Sequence, residues 1–211
     1  MRFRDADESD IPAIVACFQG RNALPVEPAV RAALPAALQQ LISSPACTLT
    51  VFEDDQWTGP QVLSFAGGLF VRDSLIEAYL AAPRPALVAS ILAAVVAGGR
   101  PLLTLAEIRR ANAGEGLTLV LFPVPLDGLA WDDPKAGQLR MLAPLAFVRS
   151  FGGYRLQAIY YEVFTDEVAG YVQAAGYRLL HDFSGQAGTG ILSPDCRPRM
   201  LRLARAEVPP A

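Results

Sequence analysis

The segment Arg155-Leu156-Gln157-Ala158-Ile159-Tyr160-Tyr161-Glu162-Val163-Phe164-Thr165-Asp166-Glu167-Val168-Ala169, closed by Ala175-Gly176-Tyr177-Arg178-Leu179, changes backbone state twice. Aromatic and β-branched residues crowd Arg155 to Phe164, which predicts a strand. Thr165 is then an N-cap, and Asp166 and Glu167 place negative charge in the first turn of a helix, where the dipole favours it. Gly176 stops that helix, and Tyr177 to Phe183 predicts another strand.

Upstream, Leu117 to Val124 is a continuous apolar run, the pattern of a central strand covered on both faces, with Pro123 and Pro125 set to end it. Asp133 and Pro134 supply an N-cap and a first helical residue, and the helix they open runs to about Arg149, before Gly152-Gly153. Thr48 to Glu53 and Gln61 to Arg72 read as a hairpin. Gly67-Gly68 within it marks a bulge or the close approach of another backbone. The chain opens on an extended stretch, residues 1–5, and a helix entered through Ser9-Asp10-Ile11-Pro12 that buries Ile14, Val15 and Phe18. A second helix spans about Pro28 to Ile42, with Pro35 set to kink it. Between hairpin and central strand, about residues 73–116, the sequence reads as two helices, Ala86 to Ala97 and Thr104 to Asn112.

At 211 residues the chain suits one domain with an insertion: residues 1–195 as that domain and 196–211 as a basic, proline-ending tail carrying Arg197, Arg199, Arg202 and Arg205. Hydrophobic residues make up 52% and the mean hydropathy is +0.29, but much of this is alanine, and the longest apolar run, Ala86 to Ala97, is shorter than the roughly 20 residues of a spanning helix. The N-terminus turns acidic at once, unlike a secretory leader, so a cytoplasmic location is expected. Three cysteines (Cys17, Cys47, Cys196) and one histidine (His181) cannot assemble a zinc cluster or a disulfide framework, so no metal is expected. A net charge of −3 and a pI near 5.2 argue against a broad nucleic-acid-binding face.

This order of elements resembles the GNAT fold of N-acyltransferases. The match rests on the segment 155–179, which is similar to the family's fifth strand, fourth helix and following glycine turn, and on Asp10-Ile-Pro-Ala-Ile-Val15, which is similar to its first helix. The expected class is therefore α/β (α+β): a mixed, mostly antiparallel central sheet flanked by helices, with a helical insertion before the central strand.

The resemblance implies acetyl-CoA or another acyl-CoA as cofactor, held by a Gln/Arg-x-x-Gly-x-Gly/Ala loop whose N–H groups at a helix start grip the pyrophosphate. Here that place reads Trp131-Asp132-Asp133-Pro134-Lys135-Ala136-Gly137-Gln138: carboxylates stand where phosphates would sit, and Pro134 lacks a donor. Residues 149–153 match the first half of the pattern by letters, yet they follow a helix and precede a strand, the reverse of what the cradle needs. The family's general acid is a tyrosine of the fourth helix; that place holds Val172, with Tyr171 one residue, about 100° of helix, away. Glu162 is the candidate base.

A weaker resemblance links Arg110-Ala-Asn-Ala-Gly-Glu-Gly116 and Gly176-Tyr-Arg-Leu-Leu180 to N-terminal sensor-type domains of bacterial LuxR-type transcription regulators. Three functions stay open. The first is a non-catalytic ligand-binding or sensor/accessory domain, with Phe122, Trp131, Tyr160, Tyr161 and Tyr171 as pocket candidates and a small molecule or a protein as partner. The second is an active N-acyltransferase in which Lys135, Gly137 and the main chain near Val124 replace the cradle. The third is a structural dimerisation module, the insertion offering a homodimer contact. DNA binding by this chain alone is not expected.

Overall fold

The computed structural model describes residues 1–19, 28–56, 59–122, 124–125, 129–184 and 197–204. Its frame is a seven-stranded sheet in the order β1-β2-β3-β4-β5-β7-β6. The strands are β1 (Arg2–Asp5), β2 (Cys47–Gln56), β3 (Gly59–Phe70), β4 (Leu117–Leu121), β5 (Leu156–Val163), β6 (Arg178–Asp182) and β7 (Arg199–Ala204). Every neighbouring pair is antiparallel except β4 and β5, which run parallel with Leu121 opposite Tyr161.

Seven helices cover the sheet: α1 (Ile11–Gln19), α2 (Pro28–Ile42), α3 (Asp73–Ala81), α4 (Leu87–Val96), α5 (Leu105–Ala113), α6 (Pro134–Phe151) and α7 (Asp166–Ala174). On one face, Ile14 and Phe18 of α1, Leu34 and Leu38 of α2, and Ile91 and Leu92 of α4 pack on Val51, Phe65, Val120 and Tyr160. On the other, Phe151 of α6 and Ile108 of α5 meet Leu119, Ile159 and Leu203, while Ala169 and Val172 of α7 cover Val163 and Leu201. Strand β5 alternates between these cores, Ala158 and Tyr160 to the first, Ile159 and Val163 to the second.

The local signals act as their chemistry requires. Asp133 caps α6 ahead of Pro134, Thr165 caps α7, and Thr104 and Glu107 form a reciprocal capping box on α5. Pro35 lies inside α2, which continues through it. Gly67 marks a close approach, not a bulge: a Cβ there would overlap the Thr48 carbonyl oxygen, whereas the β2–β3 register shift falls at Phe52/Glu53.

Three expectations change. The insertion at 73–116 holds three helices, because Asp73–Ala81 forms α3, with Ile76 and Tyr79 buried. The central strand ends at Leu121 and not Val124; Pro123 lies outside the described residues. The tail assigned to residues 196–211 is, at Arg199–Ala204, an interior strand hydrogen-bonded between β5 and β6. Two of its arginines are paired within the fold: Arg197 bonds Asp166 at 3.0 Å, and Arg199 reaches Asp166 at 2.6 Å and Asp182 at 3.1 Å; Arg202 lies over the Tyr160 ring at 5.9 Å, and Arg205 lies outside the described residues. Both faces of β7 are covered, so Met200 and Leu201 are buried side by side and the alternation that reveals a strand is lost.

Candidate functional site

The parallel pairing of β4 with β5 ends at Leu121 and Tyr161, where β4 ends. At the next residue the Phe122 N–H donates to the Gly67 carbonyl of β3 at 2.9 Å, continuing the β3–β4 ladder. On the face covered by α6 and α7, a cavity of about 560 Å³ opens beside this last pair, within the range of pockets that take small molecules.

The two ends of the cavity differ. Toward the start of α6 it is walled by Trp131, Arg140, Tyr161 and Tyr171; toward the end of α6 by Phe147, Phe151, Leu156, Ile159 and Leu203, with Tyr177 packed against that cluster. The Arg140 guanidinium lies over the Trp131 ring at 4.2 Å and donates to the Trp131 carbonyl at 2.6 Å. Tyr171 donates to the Arg140 carbonyl at 3.2 Å and meets Trp131 edge-on, with centroids 6.4 Å apart. Tyr161 and Tyr177 form a second edge-on pair at 6.4 Å. Burial pushes the Tyr161 phenol up to about 12, the Val124 backbone partly offsetting it, and raises Tyr177 as well, so both stay protonated.

Of the residues singled out from sequence, Val124, Trp131, Tyr161 and Tyr171 come together here. Phe122 borders the cavity, but its ring packs in the opposite core against Phe18 and Phe65. Tyr160 points to that opposite core too, one residue along the strand from Tyr161. Arg140 and Tyr177 were not singled out; the only signal was a lone arginine within the otherwise apolar run Leu139 to Val148 and the tyrosine of the Gly176 turn.

Lys135 and Gly137 sit at the first turn of α6 and do not line the cavity. Lys135 is tied to Asp54 at 2.5 Å, which holds its ammonium above and the Asp54 carboxyl below their ordinary ranges. The Lys135 N–H donates to the Asp133 carboxylate at 2.7 Å, the Gly137 N–H closes a helical turn onto the Asp133 carbonyl at 2.9 Å, and Pro134 has no N–H. A diphosphate would meet a negative side chain already using the donor it needs. These residues do not fit the pyrophosphate of an acyl-CoA.

Glu162 faces away from the cavity. Its carboxylate accepts the N–H groups of Ala86 and Leu87, the latter at 2.9 Å, at the start of α4. Burial raises its pKa to about 7 against those hydrogen bonds. With both oxygens engaged by backbone on the far face, it has no route to a substrate in the cavity. Among the described residues the cavity wall contains no carboxylate, imidazole, amine or thiol, hence no group able to take a proton at neutral pH. No cluster of three metal-ligating side chains occurs among the described residues, and no described helix is long and apolar enough to cross a membrane.

No protein-family model matches the sequence, and no curated protein matches it. Solved structures do. The spermidine/spermine N-acetyltransferase SpeG of Vibrio cholerae superposes with a TM-score of 0.55 at 12% identity, over 98% of this chain and 94% of that one. Arabidopsis thaliana NAA60, solved in complex with acetyl-CoA, gives 0.55 at 11% identity over 96% and 97%. A Desulfovibrio desulfuricans protein assigned to the GNAT family gives 0.50 at 10% identity over 97% and 98%. At this identity the likeness establishes the GNAT-type fold and leaves the activity open.

Proposed function

We propose that this chain, built on the GNAT-type fold, is a non-catalytic ligand-binding domain acting as a sensor or accessory protein. One observation carries the reading: the helix start that would grip a coenzyme is occupied by its own Asp133 and Pro134, while a large apolar cavity persists beside it. The lack of a proton acceptor on the described wall supports the same conclusion. On the opposite face, the first turn of α4 rests on Glu162 and closes the end of β5 to an acceptor amine arriving from that side.

A thermal-shift titration with acetyl-CoA tests the proposal. No stabilisation is expected up to millimolar ligand, and native mass spectrometry of the purified protein is expected to show a co-purified small molecule. Saturable stabilisation by acetyl-CoA, or acetyl transfer to an amine, overturns it.

The second reading, an N-acyltransferase with a divergent donor site, is favoured by the cavity beside the end of β4 and by the acetyl-CoA bound in NAA60. In this reading backbone donors near Val124 polarise the thioester carbonyl. The same titration separates the two.

A further inference from the structure

Arg140 is a cation at the edge of an apolar cavity. Among the described residues no carboxylate lies within ion-pair distance of it, and its protein contacts are the Trp131 ring and carbonyl. A guanidinium has five N–H donors in a planar fork, and the Trp131 carbonyl accepts from one nitrogen. Tyr171 donates to the Arg140 carbonyl at 3.2 Å, and the same cavity wall carries the neutral phenols of Tyr161 and Tyr177. The other end of the cavity, along Phe151, Leu156 and Leu203, is mainly apolar, with Ser150 and Tyr154 also on its wall. From Arg140 to Phe151 the helix advances roughly 16 Å at its usual rise per residue.

Resting on the ligand-binding reading above, we infer that the cavity takes a single-chain amphipathic carboxylate, its head on Arg140 and the tyrosine hydroxyls and its hydrocarbon tail along the second half of α6. One cation matches one negative charge. Lys135, the nearby alternative, is committed to Asp54, so a doubly charged phosphate would be left half-neutralised in a poorly solvated site. The planar fork suits a planar carboxylate.

The test compares three probes with the same tail, below their micelle concentrations: decanoate, decanol and decyltrimethylammonium, titrated calorimetrically into the intact protein. Decanoate is expected to bind at least roughly tenfold more tightly than decanol, the scale of a charge-assisted hydrogen bond, and decyltrimethylammonium more weakly than either. Arg140→Gln removes the preference for decanoate over decanol, and Arg140→Lys restores part of it. Far-UV circular dichroism and decanol binding by Arg140→Gln report whether that variant is folded. Equal binding of decanoate and decanol by the wild type overturns the carboxylate assignment and leaves the cavity reading standing. If none of the three probes binds, both fall.

Discussion

The Glu162 carboxylate on β5 accepts the N–H of Leu87 at 2.9 Å, so the first turn of α4 is capped by a side chain 75 positions away. Ala86, which shares that carboxylate, has a left-handed backbone (φ 74°), unusual for a residue with a Cβ. The inserted helix is held to the sheet by a side chain it could not supply for itself.

Burial of that carboxyl, which outweighs the capping hydrogen bonds, makes stability depend on pH. An unperturbed glutamate titrates near 4.5 and Glu162 in the fold at about 7. Between these values the folded state holds a proton that the unfolded state releases. Its contribution is therefore full below about pH 4.5 and falls as pH rises through 7, by about 3 kcal/mol. Glu107 and Asp182, drawn down to about 2 by their hydrogen bonds, act in the opposite sense and lose their contribution as acid protonates them. Maximum stability is expected at about pH 5. Melting temperatures measured on either side of neutrality should fall with rising pH in the wild type and stay flat in Glu162→Gln; an unchanged slope in the variant refutes the assignment.

Gly67→Ala should cost about 3 kcal/mol in chemical denaturation, since a methyl there meets the Thr48 carbonyl and the Leu49 side chain, and strands β2 and β3 would have to separate. A loss under about 0.5 kcal/mol would show that the strands are not so close.

Asp133→Ala should lower stability by about 1 kcal/mol through loss of the α6 cap, and Asp133→Gly by only a few tenths. Neither should confer an acetyl-CoA response in a thermal-shift titration, because Pro134 still lacks a donor. A response gained in either variant would mean that the Asp133 carboxylate alone excludes the coenzyme.

Met141, Leu145 and Val148 form an exposed apolar stripe on α6, Leu145 being 58% exposed. Leu145→Gln should therefore leave the melting temperature of a dilute sample within the equivalent of about 0.5 kcal/mol of the wild type. A larger fall, coupled to a concentration-dependent wild-type melting temperature, would show a second copy covering the stripe.

Much of the architecture was legible because its signals are short-range. Thr165 with Asp166 and Glu167, Asp133 with Pro134, and Thr104 with Glu107 each specify a helix start within four residues, and the apolar run from Leu117 marks the central strand. Strand β7 was not legible, because burial on both faces erases its alternation and its arginines look like a solvated tail until Asp166 and Asp182 are seen beside them. Helix α3 was missed for a related reason: only Ile76 and Tyr79 of its residues are buried, too few to set a period.

The candidate site divides along the same line. The Asp132-Asp133-Pro134 triplet shows in the sequence itself a departure from the anion-cradle pattern of GNAT enzymes, since a missing N–H and an added charge are properties of the residues themselves. Which aromatics share a cavity was not: Tyr160 and Tyr161 are adjacent and chemically alike, and only the pleat of β5 sends one to the core and the other to the cavity. Likewise Arg140 gains meaning only because Trp131 folds beneath it, and Glu162 because α4 ends its approach on that carboxylate. Caps and breakers act through neighbours along the backbone. Pockets and buried charges depend on partners that the chain brings together only when it packs.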